Sequence, residues 1–108
     1  MDVKRLGKAV FKEVKPVVSP DLEIARKVLE EVAKAARIVV GLRLGREYVR
    51  IIPYDKSRLE EIVTMLKTAG LRFTIFRRGK EIRVYERRSI EIIRKIIPHV
   101  FSSVLTYL

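Results

Sequence analysis

The sequence predicts an α+β domain in the order αββαββα, with one four-stranded antiparallel sheet made from two hairpins and helices on one face. Three observations carry this. Two stretches space apolar residues three and four apart behind capping residues, as amphipathic helices do. Each is followed by a pair of alternating segments around a glycine, the pattern of a β-hairpin. A last apolar stretch with helical spacing closes the chain. At 108 residues one domain is expected over 1–108, with 1–19 a basic helix and connector, 20–88 the αββαββ body and 89–108 the C-terminal helix.

Met1–Lys15 reads as a short helix, because Val3, Leu6, Val10 and Val14 recur at helical steps opposite Lys4, Lys8, Lys12 and Lys15. Pro16 ends it, since the residue before proline is pushed out of the helical region. Ser19 and Pro20 suit the cap and first position of the next helix. Its apolar stripe is Leu22, Ala25, Val28, Leu29, Val32 and Ala36, with Glu23–Lys27 and Glu30–Lys34 as supporting pairs. The first hairpin turns at Gly45-Arg46, so Leu42 faces Val49, Val40 faces Ile51, Arg43 faces Tyr48 and Gly41 faces Arg50. Ser57 and Glu60 form a capping box for the second helix, whose buried stripe is Leu59, Ile62, Val63, Leu66 and Ala69, with Gly70 as the C-terminal cap.

The second hairpin runs Leu71–Arg78 and Glu81–Arg87 about a turn at Gly79-Lys80. Ile75 then faces Val84, Phe76 faces Arg83, Thr74 faces Tyr85 and Arg72 faces Arg87. Ser89 caps the last helix, and Pro98 implies a kink or restart inside it. A shift of 34 residues aligns Asp21 with Asp55 and Gly45 with Gly79, suggesting an αββ repeat. Under that shift the apolar faces of the two hairpins fall on opposite parities.

The net charge is +11, which implies an anionic partner: nucleic acid or a membrane surface. No cysteine is present, so disulfides and thiol chemistry are excluded. No apolar run approaches the ~20 residues of a membrane span, and the Lys-rich N-terminus lacks a secretory apolar core, so no membrane partner and a cytoplasmic location are expected. Asn, Gln, Trp and Cys are all missing while 34% of residues are charged, a usage that resembles a thermophile's.

The charge is sorted by residue type. Segments 37–50 and 72–88 hold ten of the fourteen arginines, one lysine and three acids, which is +8 of the total +11. Each hairpin thus has an apolar face and a face of Arg with aromatic residues. Arginine offers phosphate a planar fork, and aromatic rings stack on unpaired bases whatever their identity. The expected nucleic-acid-binding residues are Arg37, Arg43, Tyr48, Arg50, Arg72, Phe76, Arg78, Lys80, Arg83, Tyr85, Arg87 and Arg88. A single strand of DNA or RNA is favoured over a duplex. A structured-RNA site in a ribonucleoprotein, ribosomal or RNA-processing, is the alternative. The broad apolar stripe Ile93, Ile96, Ile97, Val100, Phe101, Val104, Leu105 and Leu108 suggests a homo-oligomer through the C-terminal helix, with intramolecular core as the alternative.

Catalysis is not expected. His99 is the sole histidine, no phosphate-binding glycine loop is present, and the adjacent pairs Glu30-Glu31 and Glu60-Glu61 diverge on a helix. No cofactor or metal is implied. In size, basic character and a four-stranded sheet with flanking helices, the chain resembles the ThermoDBP-type archaeal single-stranded DNA-binding proteins. That resemblance implies strand binding by the Arg/aromatic hairpin faces and subunit assembly through Ile90–Leu108. The αββαββα order also resembles a LAGLIDADG homing-endonuclease half-domain, which reads DNA with its sheet. Here Ala35-Ala36-Arg37 stands where that family carries its metal-binding acid, so the resemblance implies DNA binding without cutting.

Overall fold

The computed structural model describes residues 11–15, 20–76, 78 and 80–101. Strand β1 is Phe11–Val14, helix α1 Leu22–Ala35, β2 Ala36–Arg43, β3 Arg46–Pro53, α2 Leu59–Thr68, β4 Phe73–Phe76, β5 Glu81–Val84 and α3 Arg87–Ile96. The strands form one five-stranded antiparallel sheet in the order β1-β4-β5-β3-β2.

Five strands replace the expected four because residues 11–14 are extended, not helical. Val10 and Val14 lie four apart, a step that suits a helix and equally the even positions of a strand. The open edge of β4 decides between them: Val14 pairs with Phe73 and Glu13 with Thr74, and Val14 is buried. Residues 1–10 of the expected helix, along with Ser19 and 102–108, lie outside the described residues, and Lys15 is described as non-helical.

Alternation along the strands sorts the sheet into two faces. Val14, Val49, Ile51, Phe73, Ile75, Ile82 and Val84 are buried and join one cluster with the helices. Helix α1 contributes Ala25, Leu29 and Val32, α2 contributes Leu59, Ile62, Val63 and Leu66, and α3 contributes Ile90, Ile92, Ile93 and Ile96. All three helices therefore cover one face. Arg94 of α3 fastens that layer to the sheet, pairing with Glu47 and lying 4.3 Å over the Phe101 ring. The chain breaks at Ile97-Pro98 and resumes a helical turn at His99–Phe101, as the proline predicts.

Helix starts differ from expectation by about two residues, the usual scale of boundary error. Asp21 caps α1, accepting from the N–H groups of Glu23 and Ile24, and Asp55 caps a single 3₁₀ turn at Lys56–Arg58 that leads into α2. A carboxylate adds dipole stabilisation to the hydrogen bonds, which serine cannot. Ser57 instead donates to Asp55 at 2.7 Å. Leu22 is exposed, Ala36 begins β2, and Lys34 pairs with Glu31. Ser89 is not a cap either. Buried inside α3, it donates to Glu86 at 2.6 Å and accepts from the Arg72 N–H at 2.9 Å.

Both hairpins are shifted by two residues from the expected pairing. The first turns at Leu44-Gly45, both with positive φ (52° and 78°), so Val40 faces Val49, Gly41 faces Tyr48 and Arg43 faces Arg46. In the second, four residues separate β4 from β5, Thr74 faces Arg83, Ile75 faces Ile82 and Phe76 faces Glu81. β5 ends at Val84 because α3 begins at Arg87, which removes Arg87 and Arg88 from the strand. A shift of two preserves side-chain facing, so the assignment of residues to faces stands although every partner changes. The two capping aspartates are 34 residues apart, whereas the buried strand pairs Val49/Ile82 and Ile51/Val84 are 33 apart, which accounts for the opposite parities.

Leu44 and Lys80 are the two non-glycine residues with positive φ among the described residues, and Leu44 sits in the tighter turn. A left-handed conformation costs an ordinary residue ~1–2 kcal/mol, and Asn-Gly is the preferred pair in a turn with two positive φ angles. Leu44→Asn is expected to stabilise the protein by about 1 kcal/mol in denaturant unfolding; an unchanged or lower midpoint would contradict the turn assignment.

Candidate nucleic-acid interface

The face opposite the helices carries Arg37, Val39, Gly41 and Arg43 from β2, Arg46, Tyr48, Arg50 and Ile52 from β3, Arg83 and Glu81 from β5, and Thr74 and Phe76 from β4. Tyr85 follows β5 on the same side, its ring stacked on Tyr48 with centroids 5.4 Å apart and planes 28° apart.

Glu81 organises the centre. Its carboxylate accepts from Arg50 Nε at 3.0 Å and Nη2 at 2.9 Å, and from Arg83 Nε at 2.6 Å. The bidentate Arg50 bond, helped by Arg83 and opposed by burial, holds the Glu81 carboxyl down at about 2. Burial works against the Arg83 charge, but bonds to the Tyr85 hydroxyl and Glu81 outweigh it and raise its pKa. Thus fixed, the Arg83 guanidinium lies 4.5 Å over Phe76 and 5.8 Å from the centre of the Tyr48 ring. Arg72 is likewise engaged, with Glu13 at 2.6 Å and Glu86 at 3.8 Å.

Three of the expected phosphate contacts are therefore spoken for. Arg50, Arg72 and Arg83 pair with carboxylates and shape the face. Arg37, Arg43, Arg46, Arg78, Lys80, Arg87 and Arg88 have no ion-pair partner among the described residues. The antiparallel register divides these between two ends of the sheet. Arg37 and the β4–β5 loop with Arg78 and Lys80 lie at one end. At the other are Arg43, Arg46, Tyr48 and Tyr85, and α3 starts there with Arg87 and Arg88. Two arginines in the first turn of a helix sit at the positive end of its dipole, where acids are favoured.

The second end also has a concave surface. A cavity of about 540 Å³ is lined by Arg43, Leu44, Arg46, Glu47, Tyr48 and Tyr85. Tyr48 lies flat across Gly41, where an added Cβ would meet the ring at 2.8 Å. Gly41 thus permits the ring to lie down. Tyr85 also lines a smaller hollow of about 250 Å³ with Glu13, Arg72, Phe73, Thr74 and Glu86. Sequence reasoning missed Arg46 and Leu44, which it placed in or beside the turn, and Glu81, whose shared face with Arg50 and Arg83 was already implied by strand parity.

Among the described residues no cluster of His, Cys, Asp or Glu could hold a metal ion, and no helix is long and apolar enough to cross a membrane. No family model, no curated protein and no solved structure matches the chain.

The depressed Glu81 carboxyl makes a pH prediction. Its ordinary value is 4.5, so the stability it contributes is present above about pH 4.5 and is lost as pH falls toward 2. Arg50 is about a third exposed, so water screens the contribution to about 2 kcal/mol. Glu81→Gln is expected to lose that amount at pH 7 and to flatten the acid limb of stability against pH. An acid limb of unchanged steepness in the variant would show that another carboxylate governs it.

Proposed function

We propose that this protein is a non-catalytic nucleic-acid-binding protein that holds a single strand, DNA or RNA, against the open sheet face. The observation that carries this reading is the Tyr48–Tyr85 stack beside Arg43 and Arg46, two arginines without carboxylate partners among the described residues, at the mouth of a cavity. Stacking on tyrosine is worth ~1–3 kcal/mol per base and tolerates any base. Arg43 and Arg46 supply phosphate contacts, and Arg87 and Arg88 extend the positive surface at the same end. Arg37, Arg78 and Lys80 offer a second phosphate contact region at the far end. Between them, Arg50 and Arg83 act through Glu81 as a rigid floor. Base-edge specificity is slight, because without Asn or Gln the chain lacks the usual bidentate adenine readers. Of the apolar C-terminal stripe, Ile93, Ile96, Ile97 and Phe101 are buried in this chain's own core and Val100 packs against it, so assembly of copies would fall to Val104, Leu105 and Leu108, which lie outside the described residues.

Fluorescence titration with labelled oligo-dT, oligo-rU and a duplex tests the reading. Single strands are expected to bind more tightly than the duplex, with log K falling linearly against log salt. Tyr48→Ala and Tyr85→Ala should each weaken strand binding by about tenfold. Arg43→Ala should reduce the salt slope by about 0.7. Salt-insensitive or absent binding to every oligonucleotide would overturn the proposal, and tight binding to folded RNA alone would replace it with the structured-RNA reading.

A further inference from the structure

The β2–β3 hairpin tip concentrates three local costs that the core does not require. Leu44 takes a left-handed backbone conformation at φ 52°, which disfavours a leucine. Its side chain is 95% exposed, the most exposed of the large apolar residues among those described. On either side, Arg43 and Arg46 face each other directly across the strands, a like-charge pairing that weakens a sheet. The tip projects into open space, since a Cβ built on Gly45 meets nothing within 4 Å. It also forms one wall of the cavity that Tyr48 and Tyr85 line.

An apolar side chain between two cations, beside two stacked rings, complements a polymer with anionic edges and flat apolar faces. We infer that Leu44 is a wedge: it enters between adjacent bases of the strand held on Tyr48 and Tyr85, while Arg43 and Arg46 neutralise the phosphates of the step it opens. In duplexes, leucine is among the apolar residues that insert between base steps and unstack them. An anionic bilayer would also meet charge and then hydrocarbon. The flat tyrosine stack beside the tip favours a base over an acyl chain, and a single leucine buries little in a membrane.

The inference rests on the proposed strand binding, so its test separates the two. The full chain and its Leu44→Gly variant are titrated into a single-stranded oligonucleotide carrying 2-aminopurine, whose emission rises on unstacking. Glycine suits the positive φ, so the variant should melt no lower than the parent, which excludes unfolding as the cause of any loss. The parent should raise emission at saturation. Leu44→Gly should lose most of that rise and bind about tenfold more weakly, with an unchanged salt slope because both arginines remain. Equal emission at saturation for the two proteins would overturn the wedge and leave strand binding intact. Failure of the parent to bind the oligonucleotide would overturn both. Co-sedimentation with phosphatidylserine vesicles that depends on Leu44, without oligonucleotide binding, would assign the tip to a membrane surface and overturn the wedge as well.

Discussion

One carboxylate sets the character of the open sheet face. Glu81 is buried between Arg50 and Arg83, and it accepts hydrogen bonds from Arg50 across the β3–β5 pair and from Arg83 along β5. Without it, two arginines would stand side by side on adjacent strands at Arg50↔Arg83, a repulsive register in the middle of the sheet. With it, both guanidinium groups are tied to one carboxylate, and Arg83 is held against Phe76, Tyr48 and the Tyr85 hydroxyl. The tyrosines inherit their position from this arrangement, so an ion pair at the centre of the sheet orders an aromatic platform near one end.

The same network changes what the net charge means. The acids within the two Arg-rich segments are all engaged: Glu47 with Arg94, Glu81 with Arg50 and Arg83, and Glu86 with Ser89 and Arg72. Positive charge is neutralised at mid-sheet and left exposed at its ends. A phosphate chain approaching such a face meets attraction at two places separated by a rigid, aromatic-edged floor. That pattern differs from a uniformly basic surface, which would hold polyanions without orienting them.

Much of this was legible in the residues, and the reasons for the remainder are physical. The facing of both hairpins could be read because alternation has period two and survives a register error of two. The pairing partners could not, since Leu44-Gly45 and Gly45-Arg46 are both two-residue loops around the same glycine, and only the positive φ of Leu44 separates them. β1 was hidden because the spacing that ends at Val14 reads as helical in the sequence, and the free edge of β4, a tertiary feature, chose the strand over Phe11–Val14. Helix starts were displaced because Asp21 and Asp55 compete with Ser19 and Ser57 for the same role and bring charge as well as hydrogen bonds. The arginine cluster was visible as composition. Which arginines remain available was not, because that depends on where three carboxylates fall across strands distant in sequence.

If the reading proposed above holds, the Tyr48–Tyr85 end of the open face contacts a nucleic-acid strand. Titration of a short oligo-dT into isotopically labelled protein, followed by backbone amide chemical shifts, tests it most directly. The largest shifts are expected on Arg43, Leu44, Arg46, Tyr48 and Tyr85, with α2 on the opposite face unmoved. Shifts confined to the helical face, or none at low salt, would contradict it.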